Sequence, residues 1–153
     1  MKYARPLMLG DIEYIAAHMR HEDVEEAAAL GSMPLDALRT SCDVSNVLYT
    51  LVDPDGKPAA LLGVAPGSYP RFGAIWMLGT PSIEQYRMTF LKNCKLAMPT
   101  LFEESDSDAL YNYTYLGNPV HHSWLQWMGF TFIRKVSLPP HNKDFYEFVK
   151  LRG

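Results

Sequence analysis

Long apolar runs, surplus positive charge and clustered cysteines are all missing from this chain. No apolar stretch approaches the roughly 18 residues of a membrane span. The opening Met1-Lys2-Tyr3-Ala4-Arg5 does not lead into a secretory-signal core. A cytosolic chain with no membrane partner is the expectation. Formal net charge is −3 with the histidines neutral, which leaves no electrostatic footprint for nucleic acid. Cys42 and Cys94 stand far apart with no C-x-x-C partner, so two buried reduced thiols are expected rather than a disulfide. His121 and His122 are adjacent and on a helix would point about 100° apart. With no H-x-x-x-H spacing, no metal is expected.

What remains is an ordinary globular balance. The chain has 153 residues, 48% apolar and 20% charged. That suits one domain over residues 1–153 with one core. Lys2 to Met8 reads as a short strand. Asp11 opens an amphipathic helix, with Ile12, Ile15, Ala16 and Met19 on the buried face, and helix continues from His21 to Leu30 with Gly31 as its stop. Pro34 to Ser41 is a second short helix.

The middle of the chain is β-rich. Val47–Val52 and Ala59–Val64 form a hairpin around the turn Asp53-Pro54-Asp55-Gly56. Ala65-Pro66-Gly67-Ser68 breaks it, and Phe72 to Leu78 is the third strand of the meander. Ser82-x-x-Gln85 is a capping-box pattern opening a helix that carries Tyr86, Phe90 and Cys94, and that Pro99 ends or kinks. Leu110 to Leu116 is a strand with Tyr111, Tyr113 and Tyr115 on one face. Asn118 caps a helix entered through Pro119 and closed by Gly129. In that helix, Trp124 and Trp127 sit three residues apart, for core packing or a partner surface. Phe130–Val136 and Phe145–Leu151 form a closing hairpin. The fold class is α/β, a mixed central sheet with helices on both faces, in the order β-α-α-β-β-β-α-β-α-β-β.

That order resembles the GNAT (N-acetyltransferase) fold. The spacing from Asn118 to Gly129-Phe130, with Trp124 between, is similar to the strand–Asn–helix–Gly-Phe ending of that fold. A narrower resemblance is to phage proteins related to the small internal virion protein of short-tailed phages. It rests on four segments: His21, Asp23, Glu26, Ala27, Ala29 and Gly31; Gly63-Val64-Ala65-Pro66; Trp76-Met77-Leu78-Gly79-Thr80; and Gly117-Asn118 followed by Trp124-Leu125 and Gly129-Phe130. This resemblance implies a host-cytoplasmic or virion location, with phage structural proteins or a host protein as partners.

The GNAT resemblance also implies an acyl-CoA site. Pantetheine would lie between two diverging strands along Met77 and Leu78. Pyrophosphate would sit at the helix N-terminus over Gly79, Ser82 and Ile83, with Asn118 at the neighbouring junction. Several residues depart from that pattern. The Gly-rich phosphate loop is absent, Pro81 has no N–H, and Glu84 puts a carboxylate where the pyrophosphate would bind. Leu125 stands seven residues after Asn118, where the fold often carries a Tyr acid. Glu26 and Tyr113 are the candidate substitutes for acid–base work. The competing and favoured readings are solvated helix charge for Glu25 and Glu26, a surface cluster for His21, Asp23 and Glu26, and aromatic packing for the tyrosines. The leading expectation is a non-catalytic virion or assembly protein with acetyl-CoA binding weak or absent. An active acetyl-CoA-dependent N-acetyltransferase and a host-protein-binding module are the alternatives.

Overall fold

A computed structural model describes residues 2–153. Seven strands form one sheet in the order β1-β2-β3-β4-β5-β7-β6. The elements are β1 (Ala4–Arg5), α1 (Asp11–Ala17), α2 (His21–Ala29), α3 (Pro34–Val44), β2 (Val47–Val52), β3 (Pro58–Pro66), β4 (Phe72–Gly79), α4 (Ser82–Gln85), α5 (Arg87–Glu104), β5 (Ala109–Tyr115), α6 (Pro119–Trp127), β6 (Thr131–Leu138) and β7 (Lys143–Leu151). The expected order holds apart from two breaks within helices.

The first break lies between α1 and α2, where one continuous helix was expected. The reason is tertiary: the Arg20 N–H donates to the Gly79 carbonyl at 2.8 Å, across the fold. That bond fixes the entry to α2 on the end of β4.

The second break concerns Ser82. The capping box does not form. Pro81 occupies the cap position of α4, and the Ser82 side chain makes no cap bond. The Thr80 hydroxyl instead accepts the Ser82 N–H at 3.3 Å. Tyr86 leaves helical geometry at φ −106° and ψ 37°, and α5 restarts after it. Ser82→Ala is therefore expected to change stability by less than about 0.5 kcal/mol, whereas Thr80→Ala should cost about 1 kcal/mol. Urea melts of the two variants check this, and the reverse ranking would restore Ser82 as the cap. Pro99 neither ends α5 nor shortens it; the helix runs on to Glu104.

Strand β1 is only two residues long, not the seven expected from Lys2 to Met8. Pro6 has no N–H to continue the ladder. Arg5 instead turns to Asp11, donating to its carboxylate at 2.7 and 3.0 Å. The Met8 N–H and the Thr50 hydroxyl, each at 2.8 Å, complete the partners of Asp11. Burial opposes that charge, but the three donors hold its carboxyl below the usual range.

Strand β3 is buried on both faces from Ala59 to Ala65 because helices cover the sheet on each side. On one face Leu61, Trp76 and Leu78 meet Ile15 of α1 and Leu38 of α3. On the other, Leu62, Ile75 and Met77 meet Phe90, Leu101 and Trp124 of α5 and α6. Trp124 is thus a core residue, while Trp127 stays half exposed. Cys94 is buried and Cys42 half-buried, both as free thiols.

Candidate functional site

Strands β4 and β5 run parallel, but they pair over only three residues, Phe72↔Ala109, Gly73↔Leu110 and Ala74↔Tyr111. The Asn112 side-chain amide then donates to the Ile75 carbonyl at 2.8 Å. Beyond that rung the strands part, since β4 stays in register with β3 as far as Gly79 and β5 with β7 as far as Tyr115. Backbone direction alternates along a strand. The Thr80 N–H faces β3, bonding the Ala59 carbonyl, so Gly79 and Met77 turn their polar groups into the gap. The gap opens a cavity of about 330 Å³ lined by residues of both sheet faces, among them Met77, Leu78, Tyr113 and Leu125.

Helix α2 lies across the open end. Asp23 and Glu26 are three apart and share one helical face. Asp23 accepts the Gly79 N–H at 3.0 Å, and Glu26 accepts the Tyr115 N–H at 2.6 Å. Each carboxylate thus holds the end of one diverging strand. Arg20 bonds Asp23 at 3.2 Å and reaches Glu84 at 2.7 and 3.1 Å. The surface readings for Asp23 and Glu26 are corrected here: Asp23 is 1% and Glu26 9% exposed. Only His21 and Glu25 remain outside, paired with each other at 2.7 Å. Glu84 is likewise not a free charge: its bonds to Arg20 lessen the expected repulsion without removing the carboxylate.

Burial dominates the electrostatics. It pushes the Glu26 carboxyl up to about 7, against the pull of the Tyr115 N–H and with a further push from Asp23. It raises Asp23 to about 6 despite Arg20 and the Gly79 N–H. His121 lines the same cavity, and burial lowers its imidazole to about 4, so it is neutral. Tyr113 also lines the cavity; its hydroxyl is raised chiefly by a hydrogen bond to Glu147.

The helix N-terminus following β4 has little left for an anion. The Gly79 N–H goes to Asp23 and the Thr80 N–H to Ala59. The Ser82 N–H meets the Thr80 hydroxyl, the Ile83 N–H meets the Thr80 carbonyl at 3.2 Å, and the Glu84 N–H meets the Pro81 carbonyl at 3.0 Å. Pro81 has none to give. Ile83 is buried and Ser82 half-buried beside Asp53.

Asn118 lies at the expected strand-to-helix junction, but its side chain does not turn back onto the helix. It is fully buried, and neither amide atom has a hydrogen-bond partner among the described residues. The structure thus brings Met77, Leu78, Glu26 and Tyr113 to one cavity and leaves Ser82 and Asn118 outside its lining. Sequence reasoning missed Arg20 and His121. The i, i+3, i+6 spacing of Arg20, Asp23 and Glu26 was the available signal.

No protein-family model matches the sequence, and no curated protein matches it. Solved structures do. A GNAT-family acetyltransferase from Bacillus anthracis aligns with a TM-score of 0.73 at 11% identity, over 97% of this chain and 93% of that one. AAC(6')-Ib, solved in complex with ribostamycin and coenzyme A, aligns with a TM-score of 0.73 at 14% identity, over 97% and 92%. Spermidine N-acetyltransferase from Vibrio cholerae, in complex with CoA and spermine, aligns with a TM-score of 0.68 at 15% identity, over 97% and 94%. Likeness at these identities is a likeness of fold, and with the diverging strands already described it places the chain in the GNAT fold.

Proposed function

We propose that this chain is a phage-encoded GNAT-fold protein that keeps the strand gap of acyl-CoA enzymes without performing acyl transfer, and that it serves in the virion or its assembly. One observation carries the reading: the N–H groups of Gly79, Thr80, Ser82, Ile83 and Glu84 all have partners within the chain. A pyrophosphate needs such donors unspent at a helix N-terminus. Leu125 on α6 adds to it, since it lines the cavity and has no proton to give a leaving thiolate. The four phage-like segments point the same way. Partners would be phage structural proteins or a host protein, for which half-exposed Trp127 and exposed Leu96 supply apolar surface.

A second reading, an active acetyl-CoA-dependent N-acetyltransferase, has its own observation. Glu26 lies in the cavity wall with Tyr113, titrating at about 7, which suits a general base near neutral pH. Calorimetric titration with acetyl-CoA, together with thiol release over a panel of amines, separates the two. Weak binding without turnover is expected. A low-micromolar dissociation constant with steady CoA release would establish the enzyme instead. Glu84→Gln is expected to bind acetyl-CoA about tenfold better, roughly 1.4 kcal/mol. The change releases Arg20 from its bond to Glu84 and removes a carboxylate from the first turn of α4. Unchanged affinity in that variant would show that Glu84 does not oppose phosphate.

A further inference from the structure

The gap between β4 and β5 does more than separate two strands. An intact sheet would keep the side chains of its two faces apart. Here one cavity touches Trp76 and Leu78, which point toward α3, and also Ile75, Met98 and Leu125 on the α5–α6 side. At the α2–α3 side it is bordered by exposed Thr40, half-exposed Leu30, and the partly buried Ser32 and Ser41. At the other side its walls are Met98, Leu101 and Phe148, none more than 3% exposed. The cavity is therefore a blind pocket that enters beside α3, passes through the sheet and ends in the core.

We propose that this pocket binds a single-chain aliphatic compound with an uncharged head group, its tail threaded between β4 and β5 toward α5 and α6. The inference rests on the reading above, in which the phosphate end of the gap is sealed. The volume, about 330 Å³, is at the small end of the range for small-molecule sites, roughly 300–1,000 Å³. The deep walls are apolar, and Met77, Met98 and Met128 supply flexible thioethers that fit irregular chains. Among the described residues no Lys or Arg lines the pocket, and Glu26 is the acidic residue in its wall. An anionic head would find no cation to pair with, and Glu26, when ionised, would oppose it. The hydroxyls of Ser32, Thr40 and Ser41 at the mouth can bond an alcohol.

The test is a titration of the full chain with 1-decanol, decanoate and acetyl-CoA, read by Trp fluorescence and calorimetry. Decanol should saturate at one molecule per chain, and decanoate should bind at least tenfold more weakly. Thr40→Trp, a change at an exposed position on the mouth, should weaken decanol binding at least tenfold without moving the melting temperature. Met98→Ala, which deepens the blind end, should shift preference toward longer alcohols. If the Met98 variant fails to fold, Thr40→Trp still decides. Absence of saturable decanol binding, decanoate binding as tightly as decanol, or an unaffected Thr40→Trp variant would each overturn the proposal. Failure of decanol alongside weak acetyl-CoA binding would leave the non-catalytic reading standing. Tight acetyl-CoA binding that expels decanol would overturn both.

Discussion

Arg20→Met is expected to cost about 3–5 kcal/mol of stability near pH 8, among the largest losses a single substitution can cause. The Arg20 side chain is 4% exposed and bonds Asp23, which is 2% exposed. Methionine would fill much of the space but leave Asp23 without its cation, facing only the Gly79 N–H. A buried carboxylate without its cation is the expensive case, since the desolvation cost stays and the attraction goes. Asp23 already titrates at about 6, where burial outweighs Arg20. Without Arg20 it should take up a proton at higher pH still, so the loss should shrink as the solution is acidified. Urea denaturation of the variant and wild type at pH 5 and pH 8 measures both parts. A loss below about 1 kcal/mol at pH 8 would show that Arg20 does not hold the end of β4.

Glu26→Gln should behave in the opposite sense. In the fold Glu26 titrates at about 7, against an ordinary value of 4.5. Between those values the folded chain keeps a proton that the unfolded chain has released. Wild-type stability therefore carries a component that falls as pH rises from about 4.5 to 7 and is level beyond. Gln has no proton to lose, and its amide oxygen can still accept the Tyr115 N–H. The variant should gain on wild type by up to about 3 kcal/mol between pH 4.5 and pH 8. Asp23 titrates in both proteins and so cancels to first order. A stability difference that is flat over this range would mean that Glu26 is charged in the fold without penalty.

These two residues also show where sequence reading stops. The strands and most helices were legible because apolar residues repeat with the period of each element. The strand gap followed from the resemblance, and Met77 and Leu78 are among the residues that line it. The clasp over the gap was not legible. A glutamate on a short helix looks solvated when only its neighbours are considered; the partner of Glu26 is a backbone N–H 89 residues away. Glu84 looked like a free repelling charge because Arg20 lies 64 residues from it in sequence. Ser82-x-x-Gln85 matched a local pattern, but Pro81 and Tyr86 set the helix ends and Thr80 took the capping role. Asn118 was placed correctly along the chain, yet its buried, unpartnered amide follows from packing that no spacing encodes.

The spent N–H groups between Gly79 and Glu84 are tested most directly by comparing acetyl-CoA with S-acetylpantetheine, which has the same thioester arm and no phosphates. Calorimetric titration of each into the same protein isolates what the phosphates add. An unspent donor loop would contribute charge-assisted hydrogen bonds of roughly 1.5–3 kcal/mol each. With the Gly79 N–H held by Asp23 and no N–H at Pro81, the two ligands should bind within about threefold of each other, both weakly. Acetyl-CoA binding about a hundredfold tighter than S-acetylpantetheine would contradict this, because it would require those donors to leave their partners and take the pyrophosphate.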